Sequence, residues 1–327
     1  MKFRTEIDIE QFFEKIDYSS RIFTIGSCFA QRIGGAMSRA KFQSTVNPTG
    51  TLFNPMSVCS SIERLSTKRF IREDELREGD LGWYHFDFHS SLSAPTKLQT
   101  LQQINHAIER GYEAIQSADW VVITLGTSWI YRLIESGELV ANCHKLPARN
   151  FRRERLSVEE VVSTIGKTVD NHLKDKNIIL TVSPIRHIAD GLSENSLSKA
   201  TLRLAIDQLV HTYNNIVYFP SYEILIDDLR DYRFYAQDMV HPSDVAVEYI
   251  WDLFSEAALS SQAKELMPRV MKIIKAREHR PTNPESDAHK SLCRAQLRAI
   301  DQLSQVDMSE EKLYFQSVLG EQLLLMR

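Results

Sequence analysis

Five short apolar runs punctuate this chain, at 21–25, 42–46, 120–125, 178–182 and 216–219. Each is rich in β-branched or aromatic residues and bounded by turn formers, the pattern of a buried strand. The stretches between them have helical spacing. Cys28 to Ala40 places Phe29, Ile33 and Met37 four residues apart on one face, and Leu98–Ile115, Val158–Leu173 and Ser196–Tyr213 behave alike. Strands alternating with helices predict βαβ units, hence an α/β fold with a five-stranded parallel sheet between two helical layers.

Two intervals break this rhythm. More than seventy residues separate Val46 from Trp120, and they include Trp83-Tyr84-His85-Phe86-Asp87-Phe88-His89, whose alternation predicts a half-buried strand. The other, between Leu125 and Ile178, carries Asn142-Cys143-His144-Lys145. Ligand sites of open α/β sheets lie beyond the carboxyl ends of the strands, so long insertions there build substrate walls. After Phe254 the pattern changes. The stretch 279–287 has two prolines and no apolar residue and reads as a linker. Beyond it, Leu292, Leu297, Ile300 and Leu303, then Leu313, Val318, Leu323 and Leu324, predict two amphipathic helices. The expected division is a main domain over 1–260 and a helical extension over 261–327, which packs on that domain or pairs two copies as a homo-oligomer.

Composition narrows the class. The formal net charge of −4 gives no support to a nucleic-acid surface. Apolar runs such as Trp120 to Leu125 are far shorter than the ~20 residues that cross a bilayer. Met1 to Ser20 carries Asp8, Glu10, Glu14 and Asp17 where a secretory signal would be apolar, and the four scattered cysteines fit reduced thiols. The expectation is a cytoplasmic protein with no membrane or nucleic-acid partner.

Chemistry concentrates at two places. Gly26-Ser27-Cys28-Phe29-Ala30 joins the first strand to the first helix, where free N–H groups favour developing negative charge. Ser27 is either a nucleophile or simply the N-cap of the helix, the commonest work of serine there. No GxGxxG spacing supports a dinucleotide. After the last strand, Asp238-Met239-Val240-His241-Pro242-Ser243 sets a carboxylate three residues before an imidazole. Both segments fall on one edge of a doubly wound sheet. His241 would take a proton from Ser27 while Asp238 orients the ring.

These residues resemble the GSCFA family, placed among the SGNH/GDSL-type hydrolases. The likeness rests on Ile25-Gly26-Ser27-Cys28-Phe29-Ala30 and Asp238-Met239-Val240-His241-Pro242. Asn47-Pro48-Thr49-Gly50, Thr124-Leu125-Gly126-Thr127 and Ser183-Pro184-Ile185-Arg186-His187 extend it, so that it runs from about Ile22 to Phe254. The resemblance implies a flavodoxin-like three-layer sandwich and serine ester hydrolysis without metal or cofactor, on a small-molecule or carbohydrate ester such as an O-acetyl sugar. It maps the triad onto Ser27, Asp238 and His241. It maps the oxyanion hole onto the N–H groups of Ser27 and Gly50 and a side chain that is asparagine in the wider superfamily. Ser128 stands at that asparagine's place, so Ser128, Thr127 or Asn47 would donate instead. One missing donor costs ~3–4 kcal/mol in the transition state. A scaffold that binds a glycan without turnover, and an O-acyltransferase with the same triad, are the alternatives.

His89, His144, Arg186 and His187 lie on strand-to-helix insertions and are candidates to line the substrate pocket, Arg186 as an anion clamp. No HxxxH or CxxC spacing argues for zinc. Cys28 is the rival nucleophile, expected to pack inward beside an outward Ser27. Asn195-Ser196-Leu197-Ser198-Lys199 is expected to cap the fourth long helix.

Overall fold

The computed structural model describes residues 4–80 and 82–320. The first unit is β1 (Arg21–Gly26), α1 (Cys28–Arg39) and β2 (Gln43–Val46), followed by α2 (Pro55–Ser66) and a hairpin of β3 (Arg77–Gly79) and β4 (Gly82–Tyr84). Then come α3 (Lys97–Ser117) and β5 (Trp120–Leu125), with a small antiparallel sheet of β6 (Trp129–Leu133), β7 (Leu139–Val140) and β8 (Phe151–Arg155). The α/β alternation resumes with α4 (Val158–Thr168), β9 (Asn177–Val182), α5 (Leu192–Thr212) and β10 (Ile216–Tyr218). A single turn, α6 (Ser221–Glu223), precedes α7 (Asp244–Ala258), α8 (Ser261–Glu278), α9 (Asp287–Ile300) and α10 (Ser309–Val318).

The five expected strands form one parallel sheet in the order β10-β9-β5-β1-β2. Renumbered as core strands this is 2-1-3-4-5, the flavodoxin-like order, whose topological switch lies between β1 and β5. Alternate side chains feed opposite cores. Trp120, Val122 and Ile179 join α1 and α7, whereas Val121, Ile123, Ile178 and Leu180 join α2, α3, α4 and α5. The result is a three-layer α/β/α sandwich, as its alternating pattern implied.

Three local expectations change. The stretch 83–89 is strand only through Tyr84, because Phe88 N–H turns back to His85 O and His89 starts a short helical turn. The long helix α5 begins at Leu192, so Asn195 lies inside it and accepts from His187 N–H at 2.9 Å. The second extension helix, α10, runs to Val318; Leu323 and Leu324 lie outside the described residues. Among the described residues no helix is long and apolar enough to cross a membrane.

Candidate active site

Gly26 ends β1 in a conformation reserved for glycine, at φ 134°, and a Cβ there would meet Thr124 O at 2.1 Å. The chain can therefore turn against β5 and start α1 at once. Ser27 is the N-cap: its Oγ accepts from Phe29 N–H at 3.2 Å and its own N–H donates to Thr124 O at 3.0 Å. It is 1% exposed. Among the described residues that is the only hydrogen bond of its hydroxyl, and none reaches His241. Cys28, the first helical residue, is half-buried and lines a cavity of about 540 Å³ together with Thr51, Ile185, His241, Pro242 and Val247. Ser27 is thus the buried member of the pair, while Cys28 packs partly against the core, as expected, and also lines the cavity.

The base side of the cavity is a compact turn. Asp238 Oδ1 accepts from the N–H groups of Val240 and His241 at 2.9 and 3.0 Å, and Oδ2 lies 2.6 Å from His241 Nδ1. The backbone N–H groups of His241 and Val240, with the ring itself, hold the Asp238 carboxyl down to about 2. A carboxylate fixed on Nδ1 sets the ring to donate there and leaves Nε2 as the free lone pair. Met239 sits at φ 57°, which lets the turn close. Arg186 braces it from outside. Its N–H donates to Val240 O, its Nη1 to Met239 O at 3.3 Å, and its guanidinium packs over Tyr232 and Tyr235. Below the turn, Ser243 caps α7 through Ala246 N–H, and Arg32 of α1 pairs with Asp244.

The loop after β2 crosses the end of β1. Leu52 N–H donates to Gly26 O at 2.9 Å, and Asn47 Oδ1 accepts from Gly26 N–H at 2.9 Å. Asn47 Nδ2 is buried with no partner. Gly50 N–H is engaged by Asn47 O, and the Ser27 amide by Thr124, so neither expected backbone donor is free. Cys28 N–H, as the first amide of α1, has no carbonyl one turn behind it. Ser128 is wholly buried, with its N–H and hydroxyl both spent on Ser198 Oγ at 2.7 and 3.2 Å. Gly126 and Thr127 N–H groups both donate to Phe53 O.

The four substrate-side candidates part company. His89 packs on Gly50, and His144 stacks on Tyr84 at 4.3 Å within the insertions. Arg186 supports the His241 turn. His187 sits against Gly126 and Phe53 with a buried, unpartnered Nε2. Burial, then the charges of Lys199 and His241, push that imidazole down to about 4. Lys199 itself escaped the sequence reading. It is fully buried, donates to Gly126 O and Ser183 O at 2.7 Å each, and burial lowers it to about 7. Its only sequence signal was a lysine on the inward face of an amphipathic helix. Burial also raises the Cys28 thiol, against the opposing pull of its own amide and of Thr51. Among the described residues no three of His, Cys, Asp or Glu gather as a metal-holding group.

A flavodoxin-like sandwich with a strand-to-helix turn at its topological switch, facing an Asp–His pair, defines an α/β protein with a carboxyl-edge site. This chain belongs to the GSCFA family, whose model matches residues 21–254, and residues 270–321 match the GSCFA domain protein C-terminal domain. No curated protein matches the chain.

Proposed function

We propose that this protein is an acyl hydrolase that cleaves esters through a covalent intermediate, with Cys28 as nucleophile, His241 as base and Asp238 as its orienting carboxylate. The observation that carries this reading is one cavity lined by both Cys28 and His241, with the ring already bonded to Asp238. At about 540 Å³ it has the size of a small-molecule site.

In the acylation step His241 Nε2 takes the thiol proton while sulfur attacks the ester carbonyl carbon. The carbonyl oxygen becomes an oxyanion, for which the Cys28 N–H at the start of α1 is the donor. Collapse breaks the ester C–O bond, and His241 returns its proton to the departing alcohol. Water, deprotonated by the same ring, then attacks the thioester carbonyl; the C–S bond breaks, the acid leaves, and His241 returns the proton to the Cys28 sulfur. The raised thiol keeps Cys28 neutral at rest, so the sulfur depends on His241 for activation.

A second reading keeps Ser27 as the nucleophile. Its support is the position of Ser27 one residue from the cavity wall, at the end of β1. It requires the hydroxyl to leave its bond to Phe29 N–H. The test is hydrolysis of p-nitrophenyl acetate with iodoacetamide and fluorophosphonate labelling. Cys28→Ala and His241→Ala each lower turnover by about 10⁴-fold or more, and Ser27→Ala leaves folded protein active. Loss in Ser27→Ala with activity kept in Cys28→Ala transfers the role to Ser27. Absence of turnover in the unaltered chain, with ligand still bound, leaves a binding scaffold.

A further inference from the structure

A second and larger cavity, of about 750 Å³, lies where the two long insertions meet. One wall is the β3–β4 hairpin with Ser90, and the other is the 142–147 loop. Fixed contacts join the walls. The N–H groups of Ala141 and Asn142 both donate to Phe86 O at 3.0 Å, and His144 Nε2 lies 3.0 Å from His85 O. His144 and Lys145 hold left-handed backbone at φ 47° and 60°, an unfavourable pair of conformations for non-glycine residues that tends to persist at ligand clamps.

The lining chemistry is mixed in a particular way. Glu78 and Asp80 offer carboxylate acceptors, Asn142 and Lys145 offer N–H donors, and Tyr84 and Leu146 supply apolar surface. Two carboxylates against one ammonium repel an anionic ligand. Burial lowers His144 and so keeps it neutral. Acceptors and donors combined with apolar surface suit a ring bearing several hydroxyl groups, each of which both gives and takes a hydrogen bond. A short run of chain links this cavity to the reaction site. Ser90 follows His89, whose Cβ lies 2.2 Å from where a Gly50 side chain would begin, and Thr51 lines the cavity of Cys28 and His241.

We propose that the cavity between the hairpin and the 142–147 loop binds a neutral carbohydrate ring, the alcohol portion of the ester. Its assignment as the alcohol portion rests on the hydrolase reading; binding itself does not.

The test is calorimetric titration of the full chain with xylotriose, maltotriose and N-acetylated chitotriose, with glucuronate and glucosamine as charged controls. At least one neutral saccharide binds the unaltered chain and the His241→Ala variant alike. The exposed-site variants Asp80→Ala and Lys145→Ala weaken that binding by about tenfold or more and leave the melting temperature unchanged. The proposal is overturned if no neutral saccharide binds more tightly than about 10 mM. It is overturned equally by binding of the charged controls alone, or by binding that Asp80→Ala and Lys145→Ala leave intact. Because binding is read without turnover, a dead hydrolase that still binds sugar sinks only the hydrolase reading.

Discussion

Gly26 is where backbone geometry is least negotiable. Any side chain there meets the Thr124 carbonyl, and the φ of 134° is itself unfavourable for other residues. Gly26→Ala is expected to lower unfolding free energy by about 3 kcal/mol, read by urea denaturation. Lys199 sets a pH dependence. Its folded value of about 7 is below the ordinary 10.5, so between those limits the unfolded chain holds more protons and stability rises with pH. Below about 7 both states are charged and the full burial penalty stands. Melting temperatures measured from pH 7 to 10 should rise in the unaltered protein relative to Lys199→Met; parallel curves would remove the effect. The motif itself was legible, and so was the capping role of Ser27. Which of two adjacent residues faces the cavity was not, because that depends on the first helical turn rather than on residue type. The inward place of Lys199 on its helix was the one hint of its burial, and residue type alone does not show that a lysine there would be fully enclosed.

Among the elements, the strands and most helices were readable because each repeats a burial period over several residues. The failures are short. At 83–89 polar and aromatic residues alternate, yet the stretch turns, so that His85 packs edge-on against Phe88, Phe86 against Tyr84, and Arg64 lies over Phe88. Sequence placed the helix cap near Asn195 because side-chain oxygens favour caps; here that oxygen serves His187 N–H instead. Histidines on separate insertions looked like one pocket. His89 and His144 come together where the two insertions meet, whereas His187 lies apart against Gly126 and Phe53, and only tertiary contacts decide that grouping.

For the molecule as a whole, the C-terminal helices share the core beneath α1 and α7. Ile16, Phe254, Leu266, Ile273, Cys293 and Phe315 belong to one continuous cluster. An ionic knot fastens the same junction: Glu311, wholly buried, pairs with Lys41 and Arg277. Glu311→Ala removes the buried carboxylate but leaves Lys41 and Arg277 paired with the exposed Glu310, and is expected to cost about 2 kcal/mol, seen as a lower midpoint in a single unfolding transition. Two separate transitions would mean that the helices fold apart from the sandwich. Amphipathic stripes predict α9 and α10, whereas α8 carries no expectation from the sequence. No stripe names its partner, so where they dock was invisible.

The cavity draws one wall from residue 28 and another from residues past 236, at opposite ends of the sheet's connectivity. A ribosome, which delivers the amino end first, therefore releases the thiol long before its imidazole neighbour exists. Until α7 emerges and closes on α1, Cys28 stands on an unfinished surface, open to oxidants that the completed wall would hold at a distance.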